Sequence, residues 1–418
     1  MSMLKSKYIA IFLVFLSIIT ILLHNVYGIE LPTFADVTST YKTAESSIVN
    51  EKAVATTAPV FSFQSASQIL MEVSTGEILY ANKENEKLLP ASVTKVMTLL
   101  LTMEAIDEGR LNYSDKITCT SNASSMGGSQ IWFKEGEQLT VEEALKCICI
   151  VSANDVSVAM AEHIAGSEEN FVNLMNEKAK VLGMVNTHFM NAHGIDEENH
   201  YSTAKDIAIM SRELIQKHPD ILKYTSIWTD SIRNGSFNLS NTNKLLTSYE
   251  GALGLKTGST SQALYNLSAL AKRDSMMLIA VVMKAPTSKI RQEEVSQLLN
   301  YGFSNYQIKQ LANKGDIKGK VSINKNITEE VNVIVKDNIN MLNKKGADVQ
   351  YTENVILDES RMVPIKKGDS LGKVEFLNKE GKCIKEVELV SDKDINKSSF
   401  WEYMTRFMRE FGLVNNQI

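Results

Sequence analysis

The sequence predicts an α+β protein: an antiparallel sheet with a helical lobe, then a small all-β domain and a C-terminal amphipathic helix. Its 418 residues exceed what one hydrophobic core usually organises, so two folded domains are expected. Strand-like and helical patterns alternate up to residue 305, whereas apolar and polar residues alternate one by one beyond Lys309. We therefore expect a larger domain over residues 60–305 and a β-sandwich-like domain over residues 306–392.

The N-terminus has the pattern of a secretory signal. Lys5 and Lys7 precede a nearly unbroken apolar run from Tyr8 to Leu23, and small residues lead to Gly28. This predicts a signal peptide over residues 1–28 that is cleaved after Gly28. An uncleaved anchor is the alternative, although the run is slightly short for the ~20 residues of a bilayer span. Both interpretations place the remaining chain outside the cytoplasm.

The composition bears on three questions: nucleic acid binding, the segment after the signal, and the state of the cysteines. With 44 Lys+Arg against 49 Asp+Glu, the net charge of −5 gives no reason to expect nucleic acid binding. Residues 29–59 are rich in Ser, Thr, Ala and Glu, which predicts a flexible leader. A long chain with four cysteines does not need a disulfide framework, so we expect mostly reduced, buried thiols.

The larger domain begins with a predicted hairpin around Ser74-Thr75-Gly76, followed by a helix from Ser92 to about Ile106. Thr140 to Glu143 matches a capping box at the start of another helix. Periodicity predicts three more helices and two buried strands: helices Val156–Ile164, Phe171–Leu182 and Arg291–Tyr301, and strands Ala263–Leu270 and Met276–Met283.

The C-terminal part lacks a catalytic constellation and is interpreted as a spacer or interaction module. Four segments show strand periodicity: Glu330–Lys336, Val349–Leu357, Val374–Leu377 and Ile384–Val390. Over residues 393–418, aromatic and Met side chains share one helical face beside Lys397, Arg406 and Arg409. This helix is expected either to lie in a membrane interface or to pack on its own β domain.

Ser92 and Lys95 place a hydroxyl and an amine three residues apart at the predicted start of a helix. Side chains at this spacing share a helix face, so the amine can reach the serine oxygen. A free serine hydroxyl is a poor nucleophile, and the lysine must lose its proton to serve as a base. Burial and a neighbouring cation lower a lysine pKa, and Lys256 is the candidate cation.

Two further motifs accompany this pair. Ser152-Ala153-Asn154 falls in a predicted turn between helices, and Lys256-Thr257-Gly258 enters an apolar strand. Either motif alone is also typical of turn, cap or strand-edge residues, and an SxxK pattern alone recurs by chance. Together the three follow the order and approximate separations of an SxxK acyltransferase, which predicts a serine enzyme with a lysine base.

The sequence supports neither a metal site nor the site of a histidine-dependent hydrolase. His188, His193 and His200 fall in one stretch, but their spacing fits neither HExxH nor a zinc finger. We expect structural or surface histidines, no metal and no cofactor. A GxSxG motif, which would indicate a histidine-dependent hydrolase, is also absent from the sequence.

The segment Pro90 to Thr98 resembles the nucleophile segment of the serine D-alanyl-D-alanine carboxypeptidases, the low-molecular-mass penicillin-binding proteins of peptidase family S11. Met126–Gln130, Ser202–Asp206 and Asn241–Asn243 also resemble family segments, and the likeness covers about residues 61–306. It implies a β-lactamase/transpeptidase-like catalytic domain. It also implies a substrate, the peptidoglycan stem peptide ending in D-Ala-D-Ala, and covalent inhibition by β-lactam antibiotics.

The resemblance assigns catalytic roles to matching residues. Ser92 forms the acyl-enzyme, Lys95 is its general base, and Ser152 relays a proton to the leaving D-alanine. The backbone N–H groups of Ser92 and Ser259 form the oxyanion hole.

Substrate binding is implied for a second group of residues. Asn154 holds the peptide backbone, while Lys256 and Thr257 bind the terminal carboxylate. Gly258 allows the substrate to approach the strand edge closely, and Arg291 assists carboxylate binding.

Alternative functions remain open at this stage. A serine β-lactamase shares the three motifs but needs a loop glutamate, and the segment at Glu169 is interpreted as a helix start instead. A non-catalytic module that binds stem peptides is disfavoured because all the reactive side chains are present. Transpeptidation and endopeptidation differ only in acceptor or scissile position and stay possible.

Overall fold

The computed structural model describes residues 61–323, 329–347, 350–358, 361 and 364–396. The predicted signal peptide and the whole of the predicted leader lie outside these residues, as does the predicted C-terminal helix from residue 397 onwards. Within the described residues, no helix is both long and apolar enough to cross a membrane.

A five-stranded antiparallel sheet forms the centre of the first domain. Its strands, in spatial order, are β2 (Ile78–Asn82), β1 (Ser67–Glu72), β9 (Met276–Ala285), β8 (Leu264–Arg273) and β7 (Ala252–Thr260). The predicted hairpin and the two predicted buried strands are confirmed as β1–β2, β8 and β9. Helices cover both faces, which explains why β8 and β9 read as nearly continuous apolar runs.

The helical lobe lies between β2 and β7 in the sequence. It contains α1 (Lys95–Asp107), α2 (Ser121–Ser124), α3 (Val141–Lys146), α4 (Asn154–Ala165), α5 (Glu168–Val181), α6 (Ala204–Lys217), α7 (Leu222–Thr225) and α8 (Leu245–Ser248). Two small hairpins accompany them: β3 (Lys116–Thr118) with β4 (Gln138–Thr140), and β5 (Thr229–Ile232) with β6 (Phe237–Ser240). Helix α9 (Ser288–Asn305) closes the domain against β9.

Local sequence signals account for several helix boundaries. The capping box is confirmed: the Thr140 hydroxyl accepts from the Glu143 N–H, and the Glu143 carboxylate accepts from the Thr140 N–H. Glu169 lies in the first turn of α5, so the interpretation of this segment as a helix start is also confirmed.

All four cysteines are free thiols, with Cys383 exposed and the other three buried.

Beyond α9 all the secondary structure of the described residues, which reach residue 396, is β, as predicted for the small domain. A two-stranded ribbon pairs β10 (Tyr306–Ala312) with β13 (Ile339–Lys344). A five-stranded sheet has the order β11 (Ile317–Ile323), β12 (Glu329–Val335), β16 (Cys383–Ser391), β15 (Ser370–Leu377) and β14 (Thr352–Leu357). Strands β10, β11 and β13 were not predicted, because lysines, Asn and a glycine interrupt their periodicity.

Candidate active site

Ser92 lies in a short 3₁₀ turn, Ala91–Thr94, that leads directly into α1, whose first residue is Lys95. The Lys95 Nζ is 3.1 Å from the Ser92 Oγ, as the three-residue spacing predicts.

Ala91 has a φ of +47°, and its carbonyl oxygen packs against Gly194. A Cβ at position 194 would lie only 2.0 Å from that oxygen, so glycine is required there.

The Lys95 amine is fully buried, with three oxygen neighbours. Its Nζ donates to the Asn154 Oδ1 at 2.7 Å and to the His193 carbonyl oxygen at 2.6 Å. Burial, reinforced by the positive charge of Lys256, holds the pKa of Lys95 well below its ordinary value. A neutral amine has two N–H bonds and one lone pair. In that form the two acceptors can take both N–H bonds, so the lone pair can face the Ser92 hydroxyl.

The second motif forms a turn that follows a π-helical turn, Cys147–Val151. Ser152 adopts a left-handed conformation, with φ 64° and ψ 34°, and Asn154 begins α4. The Asn154 side-chain N–H donates to the Gly127 carbonyl at 2.8 Å, which fixes the orientation of its Oδ1 toward Lys95. Among the described residues, no protein group forms a hydrogen bond with the buried Ser152 Oγ.

The third motif lies in β7. Lys256 is buried, and burial lowers its pKa to about 7, with the Arg291 charge acting in the same direction. Its Nζ donates to the Thr257 carbonyl at 3.1 Å. A Cβ on Gly258 would lie 2.8 Å from the Pro90 carbonyl oxygen and 3.0 Å from the Ser92 nitrogen. Glycine therefore lets β7 pack directly against the turn that carries Ser92.

Two predicted binding residues lie at the margins of this arrangement. Ser259 is exposed near the end of β7. Arg291 projects from α9, where its guanidinium donates to the Asn266 carbonyl at 3.2 Å and to the Ser288 hydroxyl at 3.1 Å. Because Asn266 is the β8 partner of Gly258, Arg291 lies one strand behind the third motif. Burial lowers its pKa to about 10.

The fold thus brings together Ser92, Lys95, Asn154, Lys256 and Gly258 from segments far apart in the sequence. In the described part of the chain, no cluster of His, Cys, Asp or Glu is suited to hold a metal ion. Residues 52–287 match the model of the peptidase S11 family, D-alanyl-D-alanine carboxypeptidase, and residues 306–397 match the C-terminal domain of penicillin-binding protein 5. The chain belongs to the D-alanyl-D-alanine carboxypeptidase family. It is a serine-type carboxypeptidase.

Relatives and solved structures agree with this assignment. The chain is 42% identical to D-alanyl-D-alanine carboxypeptidase DacF of Bacillus subtilis over 83% of its own length and 90% of that protein. Penicillin-binding protein 5 of Haemophilus influenzae superposes with a TM-score of 0.68 at 30% identity, covering 81% of this chain and 99% of that one. Penicillin-binding protein D2 of Listeria monocytogenes, in its ampicillin-bound form, covers 59% of this carboxypeptidase and 100% of its own chain, with a TM-score of 0.54 at 30% identity.

Sequence reasoning missed the contribution of the segment around His193. Its imidazole is buried, and burial lowers the pKa to about 3, so the ring is neutral beside Glu168 at 3.6 Å. The contact with Lys95 comes instead from the backbone carbonyl, which no side-chain pattern reveals. The Asn191 Oδ1 fixes this backbone by accepting from the N–H groups of His193 and Gly194.

His200 supports the nucleophile segment from behind. Its Nδ1 accepts from the Met190 N–H at 3.1 Å, so the neutral ring carries its proton on Nε2 and donates it to the Thr94 Oγ1 at 2.8 Å. Burial lowers the pKa of His200 to about 4. The expectation of a structural histidine fits these contacts.

Proposed function

We propose that this carboxypeptidase removes the terminal D-alanine from peptidoglycan stem peptides through an acyl-enzyme on Ser92. The observation that carries the proposal is the buried Lys95 amine, whose two neutral-state N–H bonds are taken by Asn154 and the His193 carbonyl. Its lone pair then faces the Ser92 hydroxyl 3.1 Å away, which is the arrangement a general base needs.

Acylation follows from this geometry. Lys95 takes the proton of Ser92 as the Oγ attacks the carbonyl carbon of the penultimate D-alanine. The backbone N–H groups of Ser92 and Ser259 receive the developing negative charge on the carbonyl oxygen. The peptide C–N bond then breaks, and the proton passes through Ser152 to the leaving amine of D-alanine. The buried and unpartnered hydroxyl of Ser152 supports this relay role.

Deacylation returns the enzyme to its starting state. Water attacks the ester carbonyl and gives a proton to Lys95; the ester C–O bond then breaks, and Lys95 returns the proton to the Ser92 oxygen. Water, rather than the amine of a second peptide, is the proposed acceptor of the acyl group.

Substrate binding is assigned to the residues of the second and third motifs. We assign the terminal carboxylate to Lys256 and Thr257, with Arg291 adding positive charge from behind β8. The Thr257 hydroxyl lies 2.6 Å from the Thr242 hydroxyl, so Thr242 fixes its rotamer. The expected role of Gly258 in substrate access is replaced by a packing role, because its open side faces the Ser92 turn; the substrate backbone is assigned to Asn154.

β-Lactams are proposed as covalent inhibitors at Ser92. The ampicillin-bound and cefotaxime-bound forms of the Listeria relative support this proposal. We also propose that residues 1–28 export the protein and that residues 393–418 associate with the outer face of the cytoplasmic membrane. The Lys pair before the apolar N-terminal run and the aromatic face of the tail support this location.

Mass spectrometry after incubation with benzylpenicillin tests the proposal, together with D-alanine release from a peptide ending in D-Ala-D-Ala. The wild-type protein should gain the mass of one penicilloyl group on Ser92 and release D-alanine. Ser92→Ala should do neither. Folded wild-type protein that neither acylates nor releases D-alanine would favour a binding module, and rapid penicillin hydrolysis without a trapped adduct would favour a β-lactamase.

A further inference from the structure

Trp132 points into solvent between two buried neighbours. Its side chain is 64% exposed, whereas Ile131 and Phe133 are buried. Its φ is +55°, a left-handed conformation that bulky residues rarely adopt. Such backbone conformations persist only where the surrounding contacts impose them, and they concentrate at functional sites.

Two charged side chains impose this conformation. The Asp155 Oδ2 accepts from the N–H groups of Ile131 and Phe133, each at 3.0 Å, so the backbone is fixed on both sides of Trp132. Arg233 donates through Nη1 to the Ile131 carbonyl at 3.0 Å and binds the Glu137 carboxylate at 2.6 and 3.0 Å. The indole is therefore held outward by a hydrogen-bonded frame.

This frame is continuous with the candidate active site. Asp155 directly follows Asn154, whose own N–H donates to the Ser129 carbonyl at 2.7 Å. Trp132 is three residues beyond Ser129, so at most ~11 Å of extended chain separates their Cα atoms. The Phe237 ring supports the indole in an edge contact at 6.0 Å between ring centroids.

We propose that the indole of Trp132 binds the part of the stem peptide that precedes the terminal D-alanyl-D-alanine. This inference rests on the proposed function, in which Asn154 holds the substrate backbone. Three further extended residues of substrate would span up to ~11 Å, and the Trp132 Cα lies no farther than that from the Ser129 Cα. The ring presents an apolar face and attracts cationic amines, and because the backbone that carries it is already fixed, binding need order only the indole side chain.

Kinetics with two substrates of different length test the proposal. One is an N-acylated D-Ala-D-Ala dipeptide, and the other is a pentapeptide with the same C-terminus. The kcat/KM of the pentapeptide divided by that of the dipeptide measures what the additional residues contribute. In Trp132→Ala this ratio should fall roughly five- to tenfold, and Trp132→Phe should retain most of it. Trp132→Gly removes the ring and also relieves the left-handed backbone, so it should lose as much selectivity as Trp132→Ala.

The outcomes distinguish an effect of the indole ring from an effect of the backbone conformation and from a loss of catalysis at Ser92. A ratio that stays at the wild-type value in Trp132→Ala overturns the proposal, and so does a ratio that Trp132→Gly preserves. If selectivity falls only when the pentapeptide carries its disaccharide, the glycan is the occupant, and the peptide assignment is wrong. Benzylpenicillin acylation tests Ser92 independently. Wild-type protein that is not acylated would refute the proposed function. Normal acylation, with the same kcat/KM ratio in Trp132→Ala as in wild type, would refute only the Trp132 site.

Discussion

Replacing His200 with glutamine should make the folded first domain less sensitive to acid. In the wild-type protein His200 is buried and neutral, with a pKa lowered to about 4, whereas an unfolded histidine titrates near 6.5. Below pH 6.5 the unfolded chain therefore binds a proton that the folded chain does not. The stabilisation from neutral His200 is complete above pH 6.5, is lost as the pH falls toward 4, and changes no further below that value.

The magnitude follows from the two pKa values. Between pH 7.5 and pH 4.5 the wild-type protein should lose about 2.5 kcal/mol of unfolding free energy through His200 alone. A glutamine amide can donate to the Thr94 hydroxyl and accept from the Met190 N–H, as the imidazole does, but it does not titrate. His193 remains in both proteins, so its own acid sensitivity cancels in the comparison.

Calorimetry and urea unfolding at the two pH values provide the assay. The difference in unfolding free energy between wild type and His200→Gln should change by about 2.5 kcal/mol from pH 7.5 to pH 4.5, with the variant favoured at the lower pH. His163→Gln, at an exposed histidine on α4, is the matched control and should behave as wild type. Equal acid sensitivity of wild type and His200→Gln would refute the reasoning.

Three further substitutions test the site. Ser152→Ala removes an unpartnered buried hydroxyl, so the melting temperature should hold or rise, while D-alanine release falls roughly a hundredfold or more if the hydroxyl relays the proton. Asn154→Leu keeps the approximate volume but removes the Lys95 acceptor, and stopped-flow penicillin acylation should slow roughly ten- to a hundredfold; unchanged acylation would contradict the role of the Oδ1. Gly194→Ala places a Cβ 2.0 Å from the Ala91 carbonyl oxygen, so acylation should be lost and thermal stability reduced. The control Gly183→Ala has a similar φ of +73° but no atom within 4 Å of the new Cβ, and it should keep full acylation.

Much of the fold was predictable because its signals are local. The capping box at Thr140 and the apolar runs of β8 and β9 depend on residues that are neighbours in the chain, so they can be recognised from the sequence alone. The 3-residue spacing of Ser92 and Lys95 likewise determines that the two side chains can meet.

Only the tertiary structure decided how these groups are tuned. Burial and the charge of Lys256 lower the pKa of Lys95, and burial and the charge of Arg291 lower that of Lys256; these environments exist only when β7 packs against the Ser92 turn. The His193 carbonyl is a backbone atom common to every residue type, so no pattern could single it out. The exposure of Trp132 depends on Asp155 and Arg233, which meet around it only in the folded chain. A sequence lists which groups are available, but desolvation and long-range contacts determine their chemistry.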